Sequence, residues 1–385
     1  MVPGVVHNIS LLINKSSDIS HPNPTKGKFR SAYLQMSSAA IPKFQTAAWI
    51  DTPGPNTKPY LRYDIPIPTP SNGEVLVKLD CTGVCHSDVH AILGETKRMA
   101  VHIGGHEGVG KVISLGPLVP SSFLNTRVGV KWLYSSCLSC EVCAVNYIHC
   151  PNQSNSGRNV PGTFQQYVVA PAKFVTQIPD ELESSKAAPL LCAGLTVFGA
   201  IKKAGLKPGE WMVIMGAGGG LGHLGVQIAR KMALRVIAVG SGEKKRTLCT
   251  KLGAELFLDY RVDDVERVVK DLTNGYGAHA VICATGNDAA YAQALQLVRI
   301  MGTVVCVGLS QSTLTVSPLQ VAIRGLKIVG STVGTEEDMD ELLRMAVAGD
   351  VVPEVEVFEL ERLHDVVQRI ADGTIVGKAV MNLSF

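Results

Sequence analysis

The feature that most constrains the fold is a run of glycines, Met215-Gly-Ala-Gly-Gly-Gly-Leu-Gly222, between two patterned segments. Residues 211–215 before it are all apolar and are typical of a buried strand, and residues 224–233 after it are typical of a helix. A strand, a glycine turn and a helix in this order begin a βαβ unit, whose two strands lie parallel in one sheet. The sequence therefore predicts a parallel sheet covered by helices.

Strand–helix alternation continues from about residue 192 to residue 330, with further strands predicted at 235–239, 279–283, 302–307 and 327–330. This pattern indicates an α/β fold with a Rossmann, doubly wound parallel sheet. The glycines let the backbone approach a pyrophosphate, which the helix N-terminus binds through its N–H groups. Leu221 stands where the literal dinucleotide motif has its last glycine, but the strand–helix setting still favours a cofactor site. Its predicted residues are Gly216, Gly218, Gly219, Gly220, Leu221 and Gly222.

The rest of the chain has a different sequence pattern. Residues 41–191 are rich in Gly, Pro and short β-branched runs, which predicts an irregular β domain with strands at 74–79 and 110–115. Residues 331–385 add a helix at 338–348 and a last strand at 378–382. Residues 1–40 carry cations, Ser, Asn and Pro with a single acid, so they are interpreted as an extension that is either disordered or a targeting segment.

Composition excludes several classes of function. A chain of 385 residues exceeds one ordinary core and indicates two domains. The net charge of +3 predicts no nucleic-acid partner, and the lack of an apolar run of about 18 residues predicts no membrane span. The ten cysteines include a cluster with metal spacing, which favours a reducing compartment. We expect a cytoplasmic protein, or a mitochondrial matrix protein if residues 1–35 are a transit peptide.

Two sets of residues have the chemistry of zinc sites. Cys85 and His106 are ligand types that zinc prefers, and Cys192 can complete a set of three with an open fourth position, as in catalytic sites. Alternatively, each cysteine is a small buried hydrophobe. A second set offers four thiolates within fourteen residues, which is the pattern of a closed structural site. Its members are Cys137, Cys140, Cys143 and Cys150.

These motifs, with Trp132, Phe164-Gln-Gln-Tyr167 and Cys192-Ala-Gly-Leu-Thr196, resemble the zinc-containing medium-chain alcohol dehydrogenases, and most the fungal, yeast-type branch. The resemblance runs from about Ile41 to the C-terminus. It implies a GroES-like catalytic domain at 41–191, a coenzyme domain at 192–330 and a return of 331–385 to the catalytic domain. It also implies two zinc ions per chain, a small alcohol or aldehyde as substrate, and a homo-oligomer, either dimer or tetramer. In this family the spacing before the last cysteine of the cluster is seven residues, whereas here it is six.

The resemblance also implies roles for single residues. Ser87 would take the alcohol proton and His90 would pass it to solvent. Asp88 would orient His106, and Glu107 would bind the metal as substrate exchanges. The remaining roles concern the cofactor: His86 and Lys378 would contact the pyrophosphate and Thr196 would pack on the nicotinamide.

The segment after the second predicted strand bears on cofactor choice. NAD-specific relatives have an acid at the position of Gly240, where it holds the ribose hydroxyls. Here Ser241, Lys245 and Arg246 follow instead, which favours NADP(H) over NAD(H). Two alternatives stay open: these cations begin an ordinary solvated helix, or Glu243 restores binding of NAD.

The substrate pocket resembles that of the yeast-type enzymes only in part. Trp132 is retained, but Ile92 and Thr96 replace the two other aromatic residues. This predicts a pocket wider than one for ethanol; branched, aromatic and secondary-metabolite alcohols all stay open. Two rival functions also stay open: a zinc-free quinone or enoyl reductase of the same superfamily, and a non-catalytic relative.

Overall fold

The structure is a computed structural model that describes residues 41–96, 99–310 and 312–384. The predicted extension at 1–40 lies outside these residues. In the described chain before residue 192, strands predominate and the α-helices have at most seven residues. The strands are β1 (Phe44–Trp49), β2 (Tyr60–Pro66), β3 (Glu74–Val84), β4 (Gly108–Leu115), β5 (Arg127–Val130), β6 (Leu133–Ser135), β7 (Ser154–Asn155), β8 (Tyr167–Pro171) and β9 (Thr176–Gln177). The α-helices are α1 (His86–Ile92), α2 (Glu141–Asn146) and α3 (Ser184–Ala187).

After residue 192 the elements lengthen and alternate. The strands are β10 (Trp211–Met215), β11 (Arg235–Gly240), β12 (Leu256–Asp259), β13 (Ala278–Cys283), β14 (Val298–Cys306), β15 (Lys327–Gly330), β16 (Val355–Glu359) and β17 (Lys378–Asn382). The helices are α4 (Ala193–Ala204), α5 (Gly222–Lys231), α6 (Glu243–Lys251), α7 (Val265–Leu272), α8 (Asp288–Leu297), α9 (Pro318–Arg324), α10 (Glu336–Val347) and α11 (Leu363–Ala371).

The second half of the chain forms a six-stranded parallel sheet in the order β12-β11-β10-β13-β14-β15. Its central strand β10 is buried along its whole length, because alternate side chains face helices on both sides. Met212 and Ile214 pack with α4 and α5 on one face, while Val213 and Met215 pack towards α7 and α8 on the other. This arrangement confirms the predicted α/β class with a doubly wound sheet.

The first half forms a seven-stranded mixed sheet that the C-terminal strands complete. Its order is β16-β17-β3-β4-β5-β9, with β8 also paired to β3. Strand β17 pairs antiparallel with the end of β3, so Ala379 lies opposite Val84. The predicted last strand is therefore part of the first sheet, next to the residue where β3 leads into Cys85. The sequence analysis did not predict β16, whose pattern is mostly exposed.

No single helix of the described residues is long and apolar enough to cross a membrane. One bent pair, 184–191 with 193–204, meets the test of length and composition.

Candidate metal and coenzyme site

The candidate metal site begins where β3 ends. Cys85 is the N-cap of α1, and its backbone N–H donates to Asp88 Oδ2 at 2.9 Å. The other oxygen of that carboxylate, Oδ1, lies 2.9 Å from Nδ1 of His106. A single carboxylate therefore holds both the first turn of α1 and the ring of His106, and it directs Nε2 of His106 away from itself.

Cys192 reaches the same place from the start of α4. Its Sγ lies 3.3 Å from Nε2 of His106 and 3.7 Å from Sγ of Cys85. With a carboxylate oxygen of Glu107, these donor atoms all lie within 4.8 Å of one another, and all four residues are buried. The hydrogen bond with Cys192 lowers the pKa of the Cys85 thiol well below its usual value, although burial opposes this. Two sulfur donors and one imidazole nitrogen fit the ligand set of a zinc ion, and Asp88 orients the imidazole by its hydrogen bond at the other ring nitrogen.

Glu107 is enclosed beside these ligands and forms an ion pair with Lys378. Lys378 Nζ lies 2.6 Å from Glu107 Oε1 and also donates to the carbonyl of Val84 at 3.1 Å. The second oxygen, Oε2, has no partner among the described residues. Burial raises the pKa of Glu107 to about 7, against the opposing effect of the Lys378 cation. Lys378 was predicted to contact the pyrophosphate, but its ammonium group is directed at Glu107, and only its stem lies against the glycine turn at Gly220.

The predicted proton path lies along α1. Ser87 Oγ is 3.4 Å from Nε2 of His106, the ring nitrogen that also faces Cys192. One turn later, His90 Nδ1 lies 2.5 Å from Glu95 Oε2, and its ring centroid is 4.6 Å from that of the exposed His86. Glu95 is a member of this chain of polar groups that the sequence analysis did not select.

The four cysteines of the second set come together in a lobe around α2. Cys137 Sγ lies 3.8 Å from Cys143 Sγ and 3.5 Å from Cys150 Sγ, and Cys140 caps α2 by accepting the N–H of Cys143. All four donor atoms lie within 4.8 Å of one another. Hydrogen bonds from Ser139 lower the pKa of Cys137 to about 5. Although this loop is one residue shorter than in the family that the sequence resembles, its four thiols therefore lie close enough together to surround one metal ion.

The glycine turn has the shape of a dinucleotide site. Gly216 has φ +78° and, with Ala217, donates an N–H to the carbonyl of Val239 at the end of β11. A Cβ at Gly222 would lie 2.4 Å from the Cα of Ala217, so the first turn of α5 closes on the loop only with glycine there. Thr196 lies one turn after Cys192 on α4 and is half-buried.

The cations after β11 differ from the sequence-based expectation. Arg246 donates to the carbonyl of Phe257 at 2.9 Å and lies near Asp263, so its guanidinium is held against β12. Lys245 crosses Gly218 and donates to the carbonyl of Gly373.

An exposed cation that was not predicted from the sequence, Arg261, lies beside the Ser241–Gly242 turn. It binds Asp259, whose Oδ2 also accepts the N–H of Gly242 at 2.8 Å. Asp259 lies opposite Gly240 in the sheet, and this pairing, invisible in the sequence, brings Arg261 to the turn.

The three predicted pocket residues differ in their burial and in the groups that they contact. The ring of Trp132 meets that of His106 edge to face, with centroids 5.2 Å apart. The hydroxyl of Thr96 accepts a hydrogen bond from Arg158 at 2.8 Å. Ile92 is 0% exposed within the hydrophobic core that packs on the seven-stranded sheet, because α1 turns this residue inward, and so it lines no open pocket. A cavity of about 230 Å³ beside Trp132 is lined by Leu138, Leu195 and Val333, and by none of the metal-site residues.

Comparisons with known proteins identify the family and the fold of the chain. A family described as "Alcohol dehydrogenase GroES-like domain" matches residues 71–180, and one described as "Zinc-binding dehydrogenase" matches residues 220–348. "Alcohol dehydrogenase 2" of Emericella nidulans is 41% identical over 370 residues, which cover 91% of this chain and 100% of that protein. The chain belongs to the zinc-binding medium-chain alcohol dehydrogenase family.

Other members of this family are comparably similar. "Alcohol dehydrogenase" of Schizosaccharomyces pombe is 40% identical over 350 residues, covering 89% of this chain and 99% of that protein. The solved structure of the acetophenone reductase of Geotrichum candidum, in complex with NAD, is 28% identical with a TM-score of 0.78, covering 89% of this chain and 98% of that one. The predicted resemblance to this family and the GroES-like and Rossmann-like parts of the fold are thereby confirmed.

Proposed function

We propose that the protein is a zinc-dependent alcohol dehydrogenase that transfers hydride between NADP(H) or NAD(H) and an alcohol or aldehyde. The observation that carries the proposal is the buried set of Cys85, His106 and Cys192 within reach of one ion. One side chain, Lys378, contacts both Glu107, which lies beside this set, and the glycine turn. Metal and coenzyme would thus meet at one place, as hydride transfer from an alcohol carbon requires.

A bound zinc ion supplies Lewis-acid polarisation of the alcohol or carbonyl oxygen. Cys85, His106 and Cys192 would hold the ion, and Asp88 keeps the His106 ring in place because its Oδ1 accepts a hydrogen bond from Nδ1. Ser87 would accept the alcohol proton, because its hydroxyl is 3.4 Å from His106 Nε2. His90, whose Nδ1 is hydrogen-bonded to Glu95, would then pass a proton from the site to solvent. Glu107 would approach the ion once Lys378 releases it.

A second zinc ion is proposed for Cys137, Cys140, Cys143 and Cys150. This ion would hold the lobe around α2 and would take no part in the chemistry, since all four thiols are used as ligands. The lobe reaches the other half of the protein, since Tyr147 Oη accepts the N–H of Glu336 at 2.7 Å.

We further propose that NADP(H) is preferred. The 2′-phosphate carries negative charge, and Gly240 leaves no acid of its own at the end of β11. Ser241, Lys245 and the exposed Arg261 flank the turn, and the Nη1 group of Arg261 is not used in its bonds to Asp259. A charge-assisted bond from Arg261 to the 2′-phosphate would favour NADP(H) by a modest factor only, because solvent screens a pair at this exposed position.

The substrate is proposed to be larger than ethanol. Trp132 remains beside His106, but the wall at Thr96 has a small hydroxyl side chain in place of an aromatic ring. Ile92, which is buried in the core, contributes nothing to this width.

A homo-oligomer is supported by the free edge of the parallel sheet. Strand β15 ends that sheet, and Ile328 on it is exposed together with Leu319 and Ile323 of α9. An open strand edge flanked by apolar side chains is a surface that a second copy would cover. The ten cysteines are unpaired in the described structure, which fits the proposed cytoplasmic location.

The test is a comparison of kcat/KM for NADPH and NADH with one aldehyde, together with the zinc content of the same sample. Zinc and turnover with NADPH preferred would support the proposal. Turnover without zinc would favour the zinc-free reductase, and zinc without turnover would favour a non-catalytic relative. A preference for NADH would overturn only the choice of cofactor.

A further inference from the structure

Arg158 is a cation whose Nη1 has no partner among the described residues, and it follows a glycine that contacts the segment before His106. Its Nη2 donates to the hydroxyl of Thr96 at 2.8 Å. Its Nη1 is shielded from solvent and has no hydrogen-bond acceptor among the described residues. Within the described ranges, no carboxylate lies within ion-pair distance of this guanidinium, whereas seven of the twelve other described arginines have such a partner. Lys97 and Arg98, which follow Thr96 in the sequence, are cations and cannot supply the missing charge.

The backbone around Arg158 runs between two parts of the metal site. The N–H of Ser156 donates to the carbonyl of Trp132 at 3.0 Å, and Trp132 packs edge to face on His106. Gly157, with φ +73°, lies directly on the segment before His106, since a Cβ there would be 2.8 Å from the N of Gly105. Arg158 therefore leaves the chain beside Trp132 and the segment that carries His106, and it reaches the predicted pocket residue Thr96.

The charge of Arg158 is uncompensated where it stands. Burial lowers the pKa of this guanidinium from its usual value, and the acid that opposes the effect is Asp88. Asp88 is already used by His106 and by the N–H of Cys85. A partly desolvated guanidinium with an unused N–H group binds an anion more strongly than a neutral acceptor, because the bond is charge-assisted.

We infer that Arg158 is a specificity-determining residue that binds a carboxylate on the substrate, so that the substrate class is alcohols and aldehydes bearing an acidic group. The inference rests on the proposed function and narrows it. The reacting oxygen would lie at the Cys85, His106 and Cys192 set, and the carboxylate would lie towards Thr96 and Arg158. Substrates that carry an ammonium group there would be repelled by the same charge.

The experiment uses zinc-replete enzyme and its preferred cofactor. The aldehydes are succinic semialdehyde and glutaric semialdehyde, each compared with its methyl ester, and butanal as a neutral reference. An acid and its ester differ in charge and little in reach, so their ratio of kcat/KM isolates the charge. Because each variant is its own reference in this ratio, a general loss of folding or metal does not imitate the result.

For the wild type we expect at least one acid to exceed its ester by about tenfold to a hundredfold in kcat/KM. Arg158→Gln should lose this preference while keeping turnover of the ester, and Arg158→Lys should keep part of it. Arg267→Gln, which removes an exposed cation of α7, should behave as the wild type.

Turnover of butanal with acid-to-ester ratios near one in the wild type would overturn the inference and leave the proposed function standing. The same holds if Arg158→Gln keeps the wild-type ratio. If no aldehyde is turned over, the proposed function fails, and this inference fails with it.

Discussion

His223 offers a prediction about pH and stability that the structure makes quantitative. It is the second residue of α5 and is 0% exposed. Its Nδ1 lies 2.9 Å from the carbonyl of Gly219, and its Nε2 lies 3.1 Å from the N–H of Glu354. A carbonyl can only accept and an N–H can only donate, so the ring must be the neutral tautomer with the proton on Nδ1. The ring thus connects the glycine turn to the segment that leads into β16.

Protonation of His223 would place a second donor against the N–H of Glu354 in a site without water contact. Burial accordingly lowers the pKa of His223 to about 4 in the folded protein, against about 6.5 in an unfolded chain. Between these values the unfolded chain binds the proton and the folded chain does not. Stability is therefore complete above about pH 6.5 and decreases as the pH falls towards 4. Linkage with these two pKa values gives a loss of about 2 kcal/mol from this one residue between pH 7.5 and pH 5.

The assay is urea unfolding of wild type and His223→Gln, followed by tryptophan fluorescence from pH 7.5 to 5 at constant ionic strength and zinc. Glutamine does not titrate, so the variant lacks this loss. At pH 7.5 we expect the variant to be less stable by about 1–3 kcal/mol, because hydrogen bonds to buried groups are lost. At pH 5 this gap should have narrowed by about 2 kcal/mol.

Groups other than His223 also titrate in this range, but they contribute equally to both proteins and cancel in the difference. His364→Gln, at a partly exposed histidine of α11, controls for the loss of an imidazole elsewhere. Unfolding free energies of wild type and His223→Gln that stay parallel from pH 7.5 to 5 would refute the assignment of a buried neutral ring.

Three further predictions concern the proposed sites. Cys85→Ser should abolish turnover. The far-UV circular dichroism should change little, because the metal would bind between secondary-structure elements that are already packed. Turnover near the wild-type rate in a variant shown to lack that zinc would contradict the mechanism. Cys140→Ser should lower the zinc content from two ions to one per chain and lower Tm by several degrees, as measured by elemental analysis and calorimetry; an unchanged Tm and zinc content would exclude a metal at the four cysteines. Gly240→Asp should shift the ratio of kcat/KM towards NADH, because its carboxylate would repel the 2′-phosphate. Its matched control is Gly240→Ala, since in either variant the new Cβ presses on the ring of Phe257 at 3.1 Å and only the aspartate adds charge; equal cofactor ratios in the two variants would show that residue 240 does not face the ribose.

Patterns close together in the sequence were sufficient for much of the fold. Strand 211–215, the glycine turn and the helix after it are each encoded by neighbouring residues, and β10 has the bounds that were predicted. The cluster from Cys137 to Cys150 is likewise local, so its spacing alone indicated four thiols around one point. Period and spacing act within a few residues, and for that reason they can be recognised without the fold.

Only the tertiary structure decided where distant side chains point. Cys85 and Cys192 are 107 residues apart in the sequence and meet because residues 188–191, which lead into α4, pack beside β3. Arg246 looked like a phosphate ligand but is held by the carbonyl of Phe257, whereas Arg261 reaches the turn because β12 pairs with β11. Arg158 belongs to no recognisable sequence motif, and only the packing shows that its Nη1 has no acceptor among the described residues. Propensity sets the path of the backbone locally, but the partner of a charged side chain is set by whichever elements pack against it.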